Sequence, residues 1–307
     1  MTDYTYERGI AIQIAAEAGS EIRRLYDARL AETYIKADDS PVTDADLASD
    51  RIIRGRLAEY FPDDGILTEE GIDDPARLAA RRCWVVDPID GTQQFVNRTG
   101  QFDVLVALVI EGRPVVGVML QPATGFYMAA ALGAGAIAGT VDSDETEPLL
   151  LAQPDHESRV VTTIWFGAPE SLPYLDIFAR RMEIAAPQTM ETGVLIRGHL
   201  DPGMATIAAH ANGTSISAFD QPAHGLIGVP MRGDGTMAWE WDYAAADMVV
   251  NEAGGRFTDW TGGFFQYNKA DPRNMGGLVI GNTVGFHERM LEAIAPDVEA
   301  IGQLTRE

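Results

Sequence analysis

The stretch FDVLVALVIEGRPVVGVMLQP, residues 102–122, constrains the fold more than any other part of the chain. Two apolar runs rich in Val and Leu are divided by Glu111-Gly112-Arg113-Pro114, which predicts a β-hairpin turning at that tetrapeptide. CWVVDPID (83–90) before it and GFYMAAALGAGAIAG (125–139) after it read as further β-rich runs. Ahead of them, Ile10, Ile14, Ala18, Ile22 and Leu25 recur near the helical period and predict an amphipathic helix over residues 4–30. An Asp/Ser/Pro loop follows, then a second helix marked by Ile52, Ile53 and Leu57. A short strand from Gly65 to Thr68 leads into Glu69-Glu70.

From about residue 140 the polar TVDSDETEP reads as a linker, and the length of 307 residues suggests two subdomains, 1–145 and 146–307. Beyond it, SRVVTTIWFG restarts a strand with a helical stretch after it. Residues 242–253 predict a helix closed by Gly254-Gly255, where left-handed backbone suits glycine. GRFTDW and GGLVIGN read as short strands before a terminal helix from about Phe286. Helices and strands first, with βα units later, indicate layered α and β subdomains.

Charge limits the partners. Twenty-three basic residues against 46 acidic ones leave −23, so nucleic acid and anionic membranes are repelled. A phosphorylated metabolite would be repelled too, unless the site itself is positive. The longest apolar run, Val104–Ile110, is far too short to span a bilayer, and MTDYTYERG lacks the features of a signal peptide, so a cytoplasmic protein is expected. The single cysteine, Cys83, excludes an intramolecular disulfide and reads as a core thiol at the start of a buried strand. The five histidines lack zinc-like spacing and read mostly as surface or loop residues. GAGAIAG (133–139) has the wrong spacing for a dinucleotide loop and reads as a glycine-rich hairpin.

The chemistry concentrates in Asp87-Pro-Ile-Asp90-Gly91-Thr92. Asp87 ends an apolar strand, Pro88 is expected to stiffen the strand exit, and Gly91 lets the chain turn or a ligand approach. If Gly91-Thr92 opens a helix, its free amides form an anion site and Asp90 can share a cation with Asp87. The alternative is an Asp-rich turn in which Asp90 or Thr92 merely caps the helix. Glu69-Glu70 would repel these aspartates unless cations bind among them. Asp242, after Trp239 and Trp241, reads either as a plain N-cap or as a further ligand.

Taken in order, Glu69-Glu70, Asp87-Pro-Ile-Asp90-Gly-Thr92 and Trp241-Asp242-x-Ala-Ala…Glu252-Ala-Gly-Gly255 resemble the inositol monophosphatase superfamily of Mg²⁺-dependent, lithium-sensitive phosphatases. Lys36–Asp46, KADDSPVTDAD, resembles a fourth element. The resemblance implies an α+β fold, the α/β/α/β/α sandwich of the inositol monophosphatase/fructose-1,6-bisphosphatase type. It also implies that Glu69, Asp87 and the Ile89 carbonyl bind one Mg²⁺, and that Asp87, Asp90 and Asp242 bind a second. A third, looser ion would lie near Glu69, reached by Asp46 through water. Mn²⁺ could substitute. Asp90, Gly91 and Thr92 would meet the phosphate, with Gly91 and Thr92 offering backbone amides. Glu69 and the Thr92 hydroxyl, with Asp46, would align the attacking water. The family often forms homodimers.

Within the superfamily, KADDSPVTDAD and EWDYAAADMVV resemble bacterial 3′(2′),5′-bisphosphate nucleotidases, making adenosine 3′,5′-bisphosphate the expected substrate. Inositol 1-phosphate, or another sugar, polyol or histidinol phosphate, is the alternative, and a catalytically silent metal-binding homologue is a different class. Inositol monophosphatases place a carboxylate seven residues before the metal-binding Asp; that position is Gly235 here, with Asp234 adjacent. Against the nucleotidases, Gln93 stands where Lys is common. Residues 185–240 also depart from the family pattern.

Overall fold

The computed structural model describes residues 3–36, 41–151, 153–154, 160–163, 172–184, 188–190, 194–199, 204–209, 224–228 and 236–304. Helix α1 (Thr5–Ala28) is followed by a small hairpin, β1 (Thr33–Ile35) and β2 (Pro41–Thr43), and by helix α2 (Asp44–Tyr60). Next come β3 (Gly65–Thr68), a 3₁₀ turn at Pro75–Ala79, β4 (Arg82–Asp90) and the short helix α3 (Thr92–Val96). Strands β5 (Asp103–Ile110), β6 (Arg113–Gln121), β7 (Phe126–Ala131), β8 (Gly135–Thr140) and β9 (Thr146–Pro148) follow.

Strands β3 to β9 form one seven-stranded sheet in chain order. Only β3 and β4 run parallel; the rest pair antiparallel. The β5–β6 turn lies at Glu111 and Gly112, both with positive φ (52° and 77°), the geometry that matches strand twist in a two-residue hairpin. GAGAIAG is indeed a hairpin, with Gly133 and Gly135 at positive φ between β7 and β8. The supposed linker ends in a strand, because β9 pairs with β8 and forms an exposed, charged sheet edge.

The second half contributes β10 (Leu150–Leu151), β11 (Val160–Thr163), helix α4 (Leu172–Met182), β12 (Gln188–Met190), β13 (Val194–His199) and β14 (Met204–Ala209). Then come β15 (Gly225–Gly228), β16 (Thr236–Trp239), helix α5 (Glu240–Glu252), β17 (Arg256–Asp259), β18 (Arg273–Met275), β19 (Leu278–Gly281), α6 (Val284–Ile294) and α7 (Val298–Leu304). A five-stranded sheet has the order β12-β11-β15-β19-β17. β18 and α7 were not foreseen, being too short to carry a periodic signal.

Alternation along the large sheet feeds two cores. Trp84, Val86, Val104, Val106 and Leu120 face α1 and α2; Cys83, Val85, Leu105, Ala107 and Met119 face α5. Helix α5 also packs on β17, while α4 and α6 cover the outside of the smaller sheet. The result is the expected α+β sandwich of five layers, with α5 in the middle. A helix so placed must be apolar all round, and Tyr243 through Val250 are all buried. Gly117 on β6 lets it come close: an added Cβ would lie 2.5 Å from the Ala245 carbonyl oxygen. Asp247, also fully buried, takes both Nη groups of Arg113 at 3.0 Å and the Tyr267 hydroxyl at 2.9 Å.

Cys83 is buried, and burial pushes its thiol up to about 12, consistent with an inert core residue. Two of the five histidines are exceptions to a mostly surface or loop placement. His224 and His287 are buried, the latter inside α6 with Nε2 2.8 Å from the Thr258 hydroxyl. A lone histidine gives no sequence sign of burial when its partner lies 29 residues away. Among the described residues, no helix is long and apolar enough to cross a membrane.

Candidate active site

The site begins at the ends of two parallel strands. Thr68 on β3 pairs with Val86 on β4, and the Glu69 amide donates to the Val86 carbonyl, so Glu69 arrives beside Asp87. Burial first, and then the charge of Glu69, raises Asp87, so the two carboxyl groups disfavour being ionised together when no cation lies between them.

Asp87 and Asp90 are three residues apart, and in a regular strand they would point to opposite faces. The sheet resolves this with a bulge. Asp87 pairs with Leu105 and Asp90 with Asp103, so β4 advances three residues while β5 advances two. The extra residue flips the alternation: Ile89 joins Trp84 and Val86 on the α1/α2 side, leaving Asp90 free to join Asp87 on the α5 side. Pro88, lacking an N–H, fits the bulge, and its carbonyl accepts from the Ser49 hydroxyl at 2.8 Å. The expectation that Pro88 marks the strand exit is therefore corrected: the strand continues through Asp90.

Helix α5 supplies the third aspartate from the other side. Asp242 is not the N-cap that one reading proposed. It is the third residue of the helix, and its Oδ2 accepts from the Trp239 amide at 2.8 Å. Asp87, Asp90 and Asp242 are only 1%, 3% and 4% exposed, and each offers an oxygen within 4.8 Å of the others. Among the described residues Asp87 Oδ1 has no hydrogen-bond partner. Burial, then the charges of Glu69, Asp90 and Asp242, hold Asp87 well above the usual carboxylate range. A buried, all-oxygen, electrostatically frustrated cluster, with Asp87 Oδ1 unsatisfied, is what a hard divalent cation would satisfy. The residues present fit such an ion.

Lys36 already answers part of that frustration. Its Nζ lies 2.7 Å from Glu69 Oε1 and 2.5 Å from Glu70 Oε1. Burial lowers the lysine, but the two carboxylates outweigh it and raise it overall. Burial and the neighbouring Glu69 push Glu70 up to about 7, with Lys36 pulling the other way.

Past Asp90, Gly91 turns the chain at φ 91° and is the N-cap of α3, with no side-chain cap hydrogen bond. Neither Asp90 nor Thr92 is a cap, so that alternative falls. The first amides bonded inside the helix are those of Gln94 and Phe95, both to the Gly91 carbonyl. The Thr92 hydroxyl lies 2.9 Å from Asp46 Oδ1 and 3.2 Å from the Ile89 carbonyl, either of which can take its proton. Asp46, third residue of α2, is fixed in turn by the Thr43 amide (2.8 Å) and hydroxyl (2.6 Å) in a capping box. Burial raises Asp46, with Thr43 and Thr92 acting against it. Direct contact between Asp46 and Thr92 was not foreseen; the available signal was the Thr43-x-x-Asp46 pattern, a capping box with Asp for Glu. Gly235 and Asp234 lie outside the described residues, as does most of the 185–240 segment.

Fold and site together define a metal-dependent phosphatase. The chain belongs to the inositol monophosphatase family, which matches residues 3–303. It is 32% identical over 277 residues to the 3′(2′),5′-bisphosphate nucleotidase CysQ of Aggregatibacter actinomycetemcomitans, covering 90% of this chain and 92% of that protein. Other bacterial nucleotidases of that name match over about half of their length. A histidinol-phosphatase of Chlorobaculum parvum is 30% identical over 199 residues, 59% of this chain and 76% of that one. Among solved structures, CysQ from Bacteroides thetaiotaomicron, a bacterial member of the same family, superposes with a TM-score of 0.67 at 25% identity. That match covers 90% of this chain and 97% of the other.

Proposed function

We propose that the protein removes a phosphate from adenosine 3′,5′-bisphosphate, using two or three Mg²⁺ ions at the Asp87–Asp90–Asp242 cluster. The observation that carries the reading is the bulge that turns Asp87 and Asp90 to one face, opposite Asp242 on α5. The nucleotide as substrate rests on the full-length likeness to a bisphosphate nucleotidase. The likeness to a histidinol-phosphatase supports a second reading, a histidinol phosphate ester.

Glu69, Asp87 and the Ile89 carbonyl would hold one cation, and Asp87, Asp90 and Asp242 a second, with a third near Glu69. When bound, Mg²⁺ neutralises phosphate charge and lowers the pKa of water. The chain's own residues do the rest. Thr92 donates its proton to Asp46 Oδ1, which leaves its Oγ1 lone pairs to accept from a water. Glu69 takes the water's other proton contact, so the two side chains aim its oxygen at phosphorus. Backbone amides at Gly91 and Thr92 receive the phosphate oxygens, as the left-handed Gly91 leaves no side chain in the way. Water attacks phosphorus in line and passes one proton to Glu69, the ester P–O bond breaks, the leaving alkoxide takes a proton from solvent, and Glu69 returns its proton to solvent.

The reading also takes residues 1–145 and 146–307 as two subdomains meeting at this cluster, and the enzyme as a cytoplasmic homodimer. Phosphate release from adenosine 3′,5′-bisphosphate, histidinol phosphate and inositol 1-phosphate, compared at one Mg²⁺ concentration, tests the substrate. The nucleotide is expected to give the highest kcat/KM; a preference for either other ester would replace it.

A further inference from the structure

The carboxylates come from both halves of the chain, so their mutual distance depends on what ties α5 to β3. Glu240, the first residue of α5 and two before Asp242, is fully buried. Its Oε2 accepts from the Asn268 amide at 2.5 Å, and its Oε1 from the Lys269 amide at 2.9 Å and from Lys269 Nζ at 2.7 Å. Asn268 holds a left-handed backbone, φ 58°, that Asn tolerates. Its side chain is bound reciprocally to Arg77: Nη1 of Arg77 donates to Asn268 Oδ1 at 2.7 Å, and Asn268 Nδ2 donates to the Arg77 carbonyl at 3.2 Å. Arg77 Nη2 also reaches the Lys269 carbonyl at 3.0 Å, and Asp73 neutralises the guanidinium. Arg77 in turn lies against the start of β3: a Cβ added to Gly65 would stand 2.8 Å from Arg77 Cβ.

Hydrogen bonds thus run from Arg77, which packs against the base of the strand leading into Glu69, to the first turn of the helix that carries Asp242. Of the chain's two lysines, Lys36 bridges Glu69 and Glu70, while Lys269 pairs with Glu240 and also donates to the Gln266 carbonyl and Asn274 Oδ1. We propose that Glu240, held by Lys269 and joined through Asn268 to Arg77, is a positioning residue that sets Asp242 against Asp87 and Asp90 and so fixes the affinity of the cation they share. The inference rests on the reading of Asp242 as a cation ligand. Loss of one partner leaves a buried carboxylate or amide unsatisfied and lets the first turn of α5 shift. Hydrogen-bond partners of ligand side chains typically change metal affinity by about 10–100-fold.

The test is a Mn²⁺ titration of the full-length, chelator-stripped protein, counting free Mn²⁺ by electron paramagnetic resonance, beside a thermal melt of the same metal-free sample. Asn268→Ala, Glu240→Gln and Lys269→Met are expected to weaken one Mn²⁺ site by about 10–100-fold while melting cooperatively. Lys269→Arg is expected to restore that site, since charge and donors are kept. Lys269 is about one-third exposed, so its pair of variants decides the question if the buried substitutions fail to fold. Asp242→Asn is the benchmark and should lose the same site. Wild-type Mn²⁺ affinity in Lys269→Met, with a site lost in Asp242→Asn, overturns the positioning role and leaves the cation site standing. Wild-type binding in Asp242→Asn overturns the site assignment itself.

Discussion

Replacing Asp87 with Asn exchanges one oxygen for an NH₂ at nearly constant shape, and the cluster geometry sets what should follow. Two unit charges 4.8 Å apart repel by about 3 kcal/mol at an effective dielectric of about 20. Asp87 lies within this distance of Asp90 and Asp242 and also feels the charge of Glu69. Burial first, and then this repulsion, holds Asp87 well above the usual carboxylate range, which favours its neutral form when no cation is bound. A neutral amide therefore changes little in chelator, and the metal-free melting temperature is expected to stay within about 2 °C of wild type or to rise. With Mg²⁺ the two proteins part. At a hundredfold excess over Kd, cation binding adds about 2.7 kcal/mol to the wild type, a gain that the variant should forfeit along with at least about a hundredfold in kcat/KM. Calorimetric melts with chelator and with Mg²⁺, paired with phosphate release, measure both. A variant that melts much lower in chelator yet keeps its activity would refute the reasoning, because Asp87 would then be a structural hydrogen-bonding group.

Asp46→Asn turns the acceptor of the Thr92 hydroxyl into a weaker one, and kcat is expected to fall by about a hundredfold with Mn²⁺ affinity nearly unchanged; equal losses in both would assign Asp46 to the cations instead. His287 should make the fold acid-sensitive. Burial, then Arg256, lowers it from 6.5 to about 4, so its contribution is complete above pH 6.5 and is lost as pH falls toward 4, about 3 kcal/mol in all. Urea melts across that range should show the loss in wild type and a flatter profile in His287→Gln. Gly117→Ala would set a methyl 2.5 Å from the Ala245 carbonyl oxygen and 2.8 Å from Met248 Cβ, pushing α5 off the sheet. Destabilisation of about 1–3 kcal/mol together with weaker Mn²⁺ binding is expected, and wild-type values for both would show that α5 has room.

Glu69, Asp87, Asp90 and Asp242 stood out as candidates because carboxylates at the ends of apolar strands, and in the first turn of an apolar helix, conflict with local burial, while their grouping as one ligand set came from the family resemblance. Such conflicts mark function. Hairpins and amphipathic helices, whose signals are local, indicated layered α and β subdomains, and the family resemblance implied the five-layer sandwich. The bulge at Pro88-Ile89 was hidden because a proline after a strand reads as an exit, and only the partner strand reveals that the ladder resumes. Asp46–Thr92 and Arg77–Asn268 join residues 46 and 191 positions apart, and no periodicity records such distances. The burial of His224 and His287 was hidden for the same reason: a histidine carries no burial signal of its own, and only tertiary partners such as Thr258 reveal the core site.

The central claim is that the Asp87, Asp90 and Asp242 carboxylates jointly hold a divalent cation. Anomalous diffraction from Mn²⁺-soaked crystals of the active enzyme tests it most directly. A manganese peak bounded by all three carboxylates, and missing in Asp242→Asn crystals, is the predicted result. Full phosphate release in crystals whose manganese lies elsewhere, or nowhere, would contradict it.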